Sequence, residues 1–190
     1  MFEDEFGLSF SEAVGSTWAP QGHPPFLKRL GKYRREVSTL VGLTITGKVF
    51  KRHFKGSINS EKVIEGLEHF QRHLRRPFIL IWDHSRTHLS RSVKHYLAQH
   101  PEIHIEFLPA YAPELNPEEF CHGNVKCRLT NAVFLSTPEI RQTLDRGFAR
   151  LRRRPDLLLV ADIEKDGFDA VVDACFFEDI ADMRLDGLGA

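Results

Sequence analysis

Residues 77–126 read PFILIWDHSRTHLSRSVKHYLAQHPEIHIEFLPAYAPELNPEEFCHGNVK, and their punctuation decides the fold class. Phe78 to Trp82 is a short run of apolar, β-prone residues stopped by Asp83. Ser90 to His100 brings Val93, Tyr96 and Leu97 onto one helical face, and Pro101 closes that segment. A second apolar run, Ile103 to Leu108, leads into a loop that holds Pro109, Pro113 and Pro117 and ends at Asn116-Pro117-Glu118-Glu119. Two short continuous apolar runs around a helix predict parallel strands buried on both faces, hence an α/β sheet. In such sheets the polar residues just beyond the carboxyl ends of strands form the site, and Asp83 stands at such an end.

Working outward, Glu36 to Phe54 has β-branched residues on either side of Thr46-Gly47 and predicts an antiparallel hairpin turning at Gly47. Ser60 is the predicted N-cap of a helix whose stripe is Val63, Ile64, Leu67, Phe70 and Leu74. A helix beginning at Pro117 would carry two glutamates beside the positive end of its dipole. Thr137 as N-cap and Pro138 at the first position predict another, with Ile140, Leu144, Phe148 and Leu151 as its buried stripe. At the other end, Met1 to Leu8 offers at most a stub of a strand, carrying Asp4. Residues 15–35, rich in Gly, Pro and bases, predict an extended loop whose cations could face nucleic acid.

At 190 residues and 42% hydrophobic content the chain can bury one sizeable core. No apolar run approaches the ~20 residues of a membrane helix, and MFEDEFGL lacks the features of a signal peptide, so a cytoplasmic protein without membrane partners is expected. The three cysteines include no CxxC pair, so reduced thiols are expected rather than a disulfide framework. The net charge of zero hides an asymmetry: residues 1–155 hold 24 Lys+Arg against 16 Asp+Glu, whereas 156–190 hold two bases against ten acids. A basic body suits a phosphate backbone, whose counterions are released on binding. The division predicts a domain over residues 1–155 and an acidic extension over 156–190 outside it.

Three carboxylates, Asp4, Asp83 and Glu119, each lie beside an apolar strand or at a helix start. Converging anions repel, raise one another's pKa values and call for a hard divalent cation. Oxygen-only ligation suits Mg²⁺ or Mn²⁺, and two such ions can act on both sides of a phosphodiester. A competing zinc site would use Cys121, His122 and Cys127, whose spacing fits no standard zinc pattern.

WDHSRTH, followed by FLPAYAPELNPEEF and then VK, resembles the DDE transposases of the mariner superfamily, in particular those of bacterial insertion sequences. The 35 residues between Asp83 and Glu119 match the family spacing, and Asp4-Glu5 with TWAPQGHPP fits its first acidic motif and the loop after it. The resemblance covers about residues 2–155. It implies an RNase H-like mixed five-stranded sheet of order 3-2-1-4-5 with helices on both faces, the first strand being truncated here. It makes Asp4, Asp83 and Glu119 the catalytic metal ligands for Mg²⁺ or Mn²⁺, two ions in all, with Arg86, His88 and Lys126 as DNA contacts. DNA cleavage and strand transfer, an oligomer on element ends and target, and a helix-turn-helix half encoded upstream are further expectations. The alternative is a truncated, catalytically silent remnant that binds DNA or an intact transposase. His84 and His122 depart from the family pattern, which usually has a small polar residue and a Trp there.

Overall fold

A computed structural model describes residues 1–10, 14–28, 36–109, 115–154 and 158. The elements in order are β1 (Phe2–Leu8), β2 (Val37–Leu43), β3 (Val49–Lys55), α1 (Ser60–Leu74), β4 (Phe78–Trp82), α2 (Arg91–Gln99), β5 (Ile103–Phe107), α3 (Glu118–Cys127) and α4 (Thr137–Leu151). The five strands form one mixed sheet in the order β3-β2-β1-β4-β5, as expected. β1, β2 and β3 pair antiparallel, whereas β4 is parallel to both β1 and β5. The acidic extension expected over 156–190 lies outside the described residues apart from Leu158, which is buried in the core.

β1 is longer than the stub expected of it. All seven residues pair with β2, from Phe2↔Leu43 to Leu8↔Val37. On its other side, the registered pairing with β4 is Phe2↔Ile81. Met1 extends that contact: its amino group donates to the Ile79 carbonyl at 2.8 Å, and its own carbonyl accepts from Ile81 N–H at 2.8 Å.

Two cores sandwich the sheet. On one face Phe6, Leu8, Val37, Val41 and Leu43 pack against Val125 of α3 and Ile140, Leu144, Phe148 and Leu151 of α4. On the other, Leu40, Leu80 and Trp82 pack against Val63, Leu67 and Phe70 of α1 and Val93 of α2. The α4 stripe is buried as its periodicity predicts; in α1, Gly66 joins Val63, Leu67 and Phe70 because a side chain at 66 would stand 2.8 Å from Leu40 Cδ2. Gly47 supplies the hairpin turn with a φ of 74°, a region favouring glycine.

β4 and β5 are not buried on both faces. Ile79 is 52% exposed, because among the described residues α3 and α4 cover only the β1–β3 half of that face, and Phe107, beside Trp82 on the α1 and α2 side, is 41% exposed on the edge strand. β5, IHIEF, alternates polar and apolar residues as a one-sided strand does. Two caps lie one residue earlier than expected: Asn59, not Ser60, accepts from Lys62 N–H, and Ser136, not Thr137, accepts from Glu139 N–H. Among the described residues Cys121 is free and buried, as the expectation of reduced thiols has it. No described helix is long and apolar enough to cross a membrane.

Candidate functional site

Strand alternation divides the acids of FEDEF between the two faces of the sheet. Phe6 and Leu8 point toward α3 and α4, and Asp4 shares their side; Glu3 and Glu5 point the other way. The parallel register Phe2↔Ile81, continued by two residues, sets Asp4 beside Asp83 at the end of β4.

Asp4 and Glu119 converge through Asn116. The Asn116 side chain donates from Nδ2 to Asp4 Oδ2 at 3.1 Å and accepts the Glu118 N–H on Oδ1 at 3.2 Å, while its carbonyl accepts from Glu119 N–H at 3.0 Å. One buried amide therefore starts α3 and orients the first acid. The Glu5 N–H donates to the other Asp4 oxygen at 2.7 Å. Asp4, Glu119 and His122 each offer a ligand atom within 4.8 Å of the others, with Glu119 exposed at the mouth and His122 buried at the floor. Burial, then the charges of Glu119 and Asp83, raise Asp4 to about 7, against the opposing Glu5 hydrogen bond. A carboxyl so penalised for ionising is what a bound cation would relieve, so these residues fit a divalent ion.

Asp83 is held differently. His88 Nδ1 lies 2.9 Å from its Oδ1, and the Ser85 N–H donates to the same oxygen at 2.9 Å. The His88 ring stacks on Trp82 with centroids 4.1 Å apart and planes 6° from parallel. Its Nε2 faces Glu5 Oε1 at 3.4 Å and Glu3 Oε2 at 3.5 Å. Burial alone would lower the His88 pKa, but its hydrogen bonds to Asp83 and Glu5 and the charges of Glu3 and Glu5 carry it to about 10. The His88 hydrogen bond in turn lowers Asp83, and burial raises Glu3 well above the carboxylate range. His88 is thus a buried imidazolium held between the Asp83 and Glu5 side chains, beside the buried Glu3 carboxyl, rather than a surface group open to phosphate.

The other expected DNA contacts lie on the surface. Arg86 is exposed just beyond Asp83, and Lys126 is exposed about two turns along α3 from Glu119, its ammonium 5.2 Å above the Phe6 ring. Glu118, in the slot before Glu119, is fully buried; burial, then the charges of Asp4, Glu3 and Glu119, raise its carboxyl well above the ordinary range. Burial lowers His122 well below its usual value, so its ring is neutral. Neither potential ligand group among the described residues includes a cysteine, which leaves the zinc alternative without its thiolates. The sequence singled out Asp4, Asp83 and Glu119 by position, but gave no role to Asn116, Glu3 or Glu5. Only the alternation of FEDEF, read against the apolar Phe6 and Leu8, could have exposed the two opposed acid sets.

Residues 1–141 match the family model described as DDE superfamily endonuclease. Among solved structures, the chain is similar to a pre-cleavage Mos1 transpososome, with a TM-score of 0.60 and 18% identity over 85% of this chain and 55% of that one. A Mos1 paired-end complex with left transposon end gives 0.59 and 18% over 85% and 54%, so the chain spans about half its length. The catalytic domain of Mos1 mariner transposase gives 0.54 and 18% over 85% and 80%. This likeness is one of fold, the RNase H-like mixed sheet. No curated protein matches.

Proposed function

This chain belongs to the DDE superfamily endonuclease family, and from that premise we propose that it is the catalytic domain of a bacterial insertion-sequence transposase, cutting DNA strands and joining them to target DNA. The observation that carries the reading is the convergence of Asp4 and Glu119, 115 residues apart in sequence, beside the strand-end Asp83. The three are the catalytic carboxylates and hold Mg²⁺ or Mn²⁺. When bound, two such ions supply Lewis acidity on either side of a phosphodiester.

The chain's own residues set the geometry. Asn116 fixes Asp4 relative to the start of α3, and His88 with Ser85 fixes the Asp83 carboxylate. Both acids are then orientated before substrate arrives, which reduces the reorganisation cost of reaction. Arg86 and Lys126, exposed on either side, contact phosphates. Water attacks phosphorus and the P–O3′ bond breaks, leaving a 3′-hydroxyl; that hydroxyl then attacks a target phosphodiester in a transesterification. The reaction runs on paired element ends in an oligomer, with DNA-end recognition contributed by a helix-turn-helix half.

The test is Mg²⁺-dependent nicking and joining of element-end DNA with the upstream half supplied. Activity in the parent that disappears in Asp83→Asn supports the assignment. Equal activity in the variant overturns it, and a folded parent that binds DNA without cutting it selects the silent-remnant alternative.

A further inference from the structure

Glu119-Phe120-Cys121-His122 places a carboxylate and an imidazole three residues apart in α3, so both project from one face of the helix, the Glu-x-x-His spacing by which helices present paired ligands to one metal. We propose that His122 is itself a metal ligand, completing with Asp4 and Glu119 a mixed nitrogen and oxygen site for one of the ions that the proposed catalytic centre holds. The inference rests on that reading of the centre and adds to it a ligand and a metal preference.

Three observations carry it. His122 Nδ1 lies 3.8 Å from Asp4 Oδ2, and all three ligand atoms lie within 4.8 Å of one another. Ligands about 2.0–2.2 Å from a shared ion stand roughly 3–4.4 Å apart, so a small closure of the exposed Glu119 side chain suffices. Second, His122 is 1% exposed, and its Nε2 has no aligned hydrogen bond although Glu118 Oε2 is 2.6 Å away. The two Glu118 oxygens are likewise buried without an aligned partner. Buried polar atoms are rarely left so, and a ring turned slightly toward Glu118 by an ion on Nδ1 would satisfy both sides. Third, that ring turn yields the carboxylate–histidine–metal arrangement in which an outer carboxylate fixes the tautomer and raises ligand basicity. Phe6, whose ring centroid is 4.3 Å from that of His122, walls the floor and keeps the ring in place.

An imidazole in place of a third oxygen shifts preference from Mg²⁺ toward Mn²⁺ and other transition ions. Asp83, held by Ser85 and His88, is left for the second ion.

The experiment loads the full chain with Mn²⁺ and records electron spin-echo modulation alongside a binding titration. The expected result is nitrogen modulation from a bound imidazole, changed in frequency by ¹⁵N-histidine labelling, retained in a variant of the exposed α2 residue, His95→Gln, and lost in His122→Phe, with about tenfold or greater weakening of Mn²⁺ binding in the last. The isotope label needs no mutation and so reads the unaltered fold. Mn²⁺ binding that Asp4→Asn abolishes but that shows no nitrogen modulation overturns the His122 ligand and leaves the carboxylate centre standing. Failure of the folded chain to bind Mn²⁺ at all overturns both.

Discussion

Replacing Asp4 with asparagine should make the metal-free protein more stable at pH 8. Asp4 is raised from 3.8 to about 7, first by burial and then by Glu119 and Asp83. Because the folded value is the higher one, the folded state holds a proton that the unfolded state has released. This contribution to stability is complete below about pH 4 and is lost as pH rises toward 7. At ~1.36 kcal/mol per pH unit, the difference between 3.8 and about 7 amounts to about 4 kcal/mol, the most that ionising this carboxyl can cost. Asparagine resembles the protonated acid in shape but cannot accept as well from both Glu5 N–H and Asn116 Nδ2, a loss of roughly 1–1.5 kcal/mol. The expected net gain is about 2–3 kcal/mol at pH 8, falling to zero or below near pH 4, where the parent carboxyl is protonated. Urea unfolding in chelator at the two pH values measures it. Added Mn²⁺ should cancel the difference at a hundred times its dissociation constant, where it contributes about 2.7 kcal/mol to the parent alone, and reverse the order at a thousand times, where it contributes about 4.1 kcal/mol. An asparagine variant no more stable than the parent at pH 8 in chelator refutes the reasoning.

Removing the buried imidazolium in His88→Gln leaves Glu5 without its counter-charge and Asp83 without its ring donor, and should cost about 3–5 kcal/mol in urea unfolding at pH 6. Since His88 is raised from 6.5 to about 10, the parent should lose stability as pH rises between those values, and the variant should lack that slope. Gly66→Ala drives a methyl to within 2.8 Å of Leu40 Cδ2; overpacking of about 1–3 kcal/mol, against a helix-propensity gain of about 1, predicts a lower melting temperature rather than the rise usual for Gly→Ala in a helix. Asn59→Ala should cost about 1 kcal/mol and Ser60→Ala almost nothing, which thermal denaturation of the two variants distinguishes.

The parts of the molecule legible in the sequence are those whose physics is local. Ile140, Leu144, Phe148 and Leu151 recur at helical spacing and are all buried, and Gly47 turns the hairpin where its neighbours predict. Strand order and the three acids were reachable through the proline-rich signature and the Asp83 to Glu119 spacing, not through periodicity. The two caps were placed one residue late because Asn59 and Ser60, or Ser136 and Thr137, are adjacent residues of capping type, and the backbone alone chooses between them. FILIW has no polar residue to mark an open side, so its sequence predicts burial on both faces; Ile79 and Ile81 lie where among the described residues no helix covers the sheet. The role of Asn116 was hidden because it joins an acid 112 positions away to the start of its own helix, a tertiary contact with no sequence period.

The assignment of Asp4 to the α3 face depends on two apolar side chains rather than on any acid. Phe2-Glu3-Asp4-Glu5-Phe6 carries three consecutive carboxylates, and a slip of β1 by one residue would exchange Asp4 for Glu3 or Glu5 at the site. What forbids the slip is Phe6 at 2% and Leu8 at 1% exposure: turning both out of the core would cost roughly 1.5–3 kcal/mol each, besides forfeiting the register with β2. The same constraint pushes Glu3 and Glu5 to the opposite face, where a carboxylate charge packed against the sheet calls for a cation. His88 supplies that cation and at the same time binds Asp83. The apolar alternation of β1 therefore fixes which acid faces α3, and through His88 it also fixes how the second acid is held.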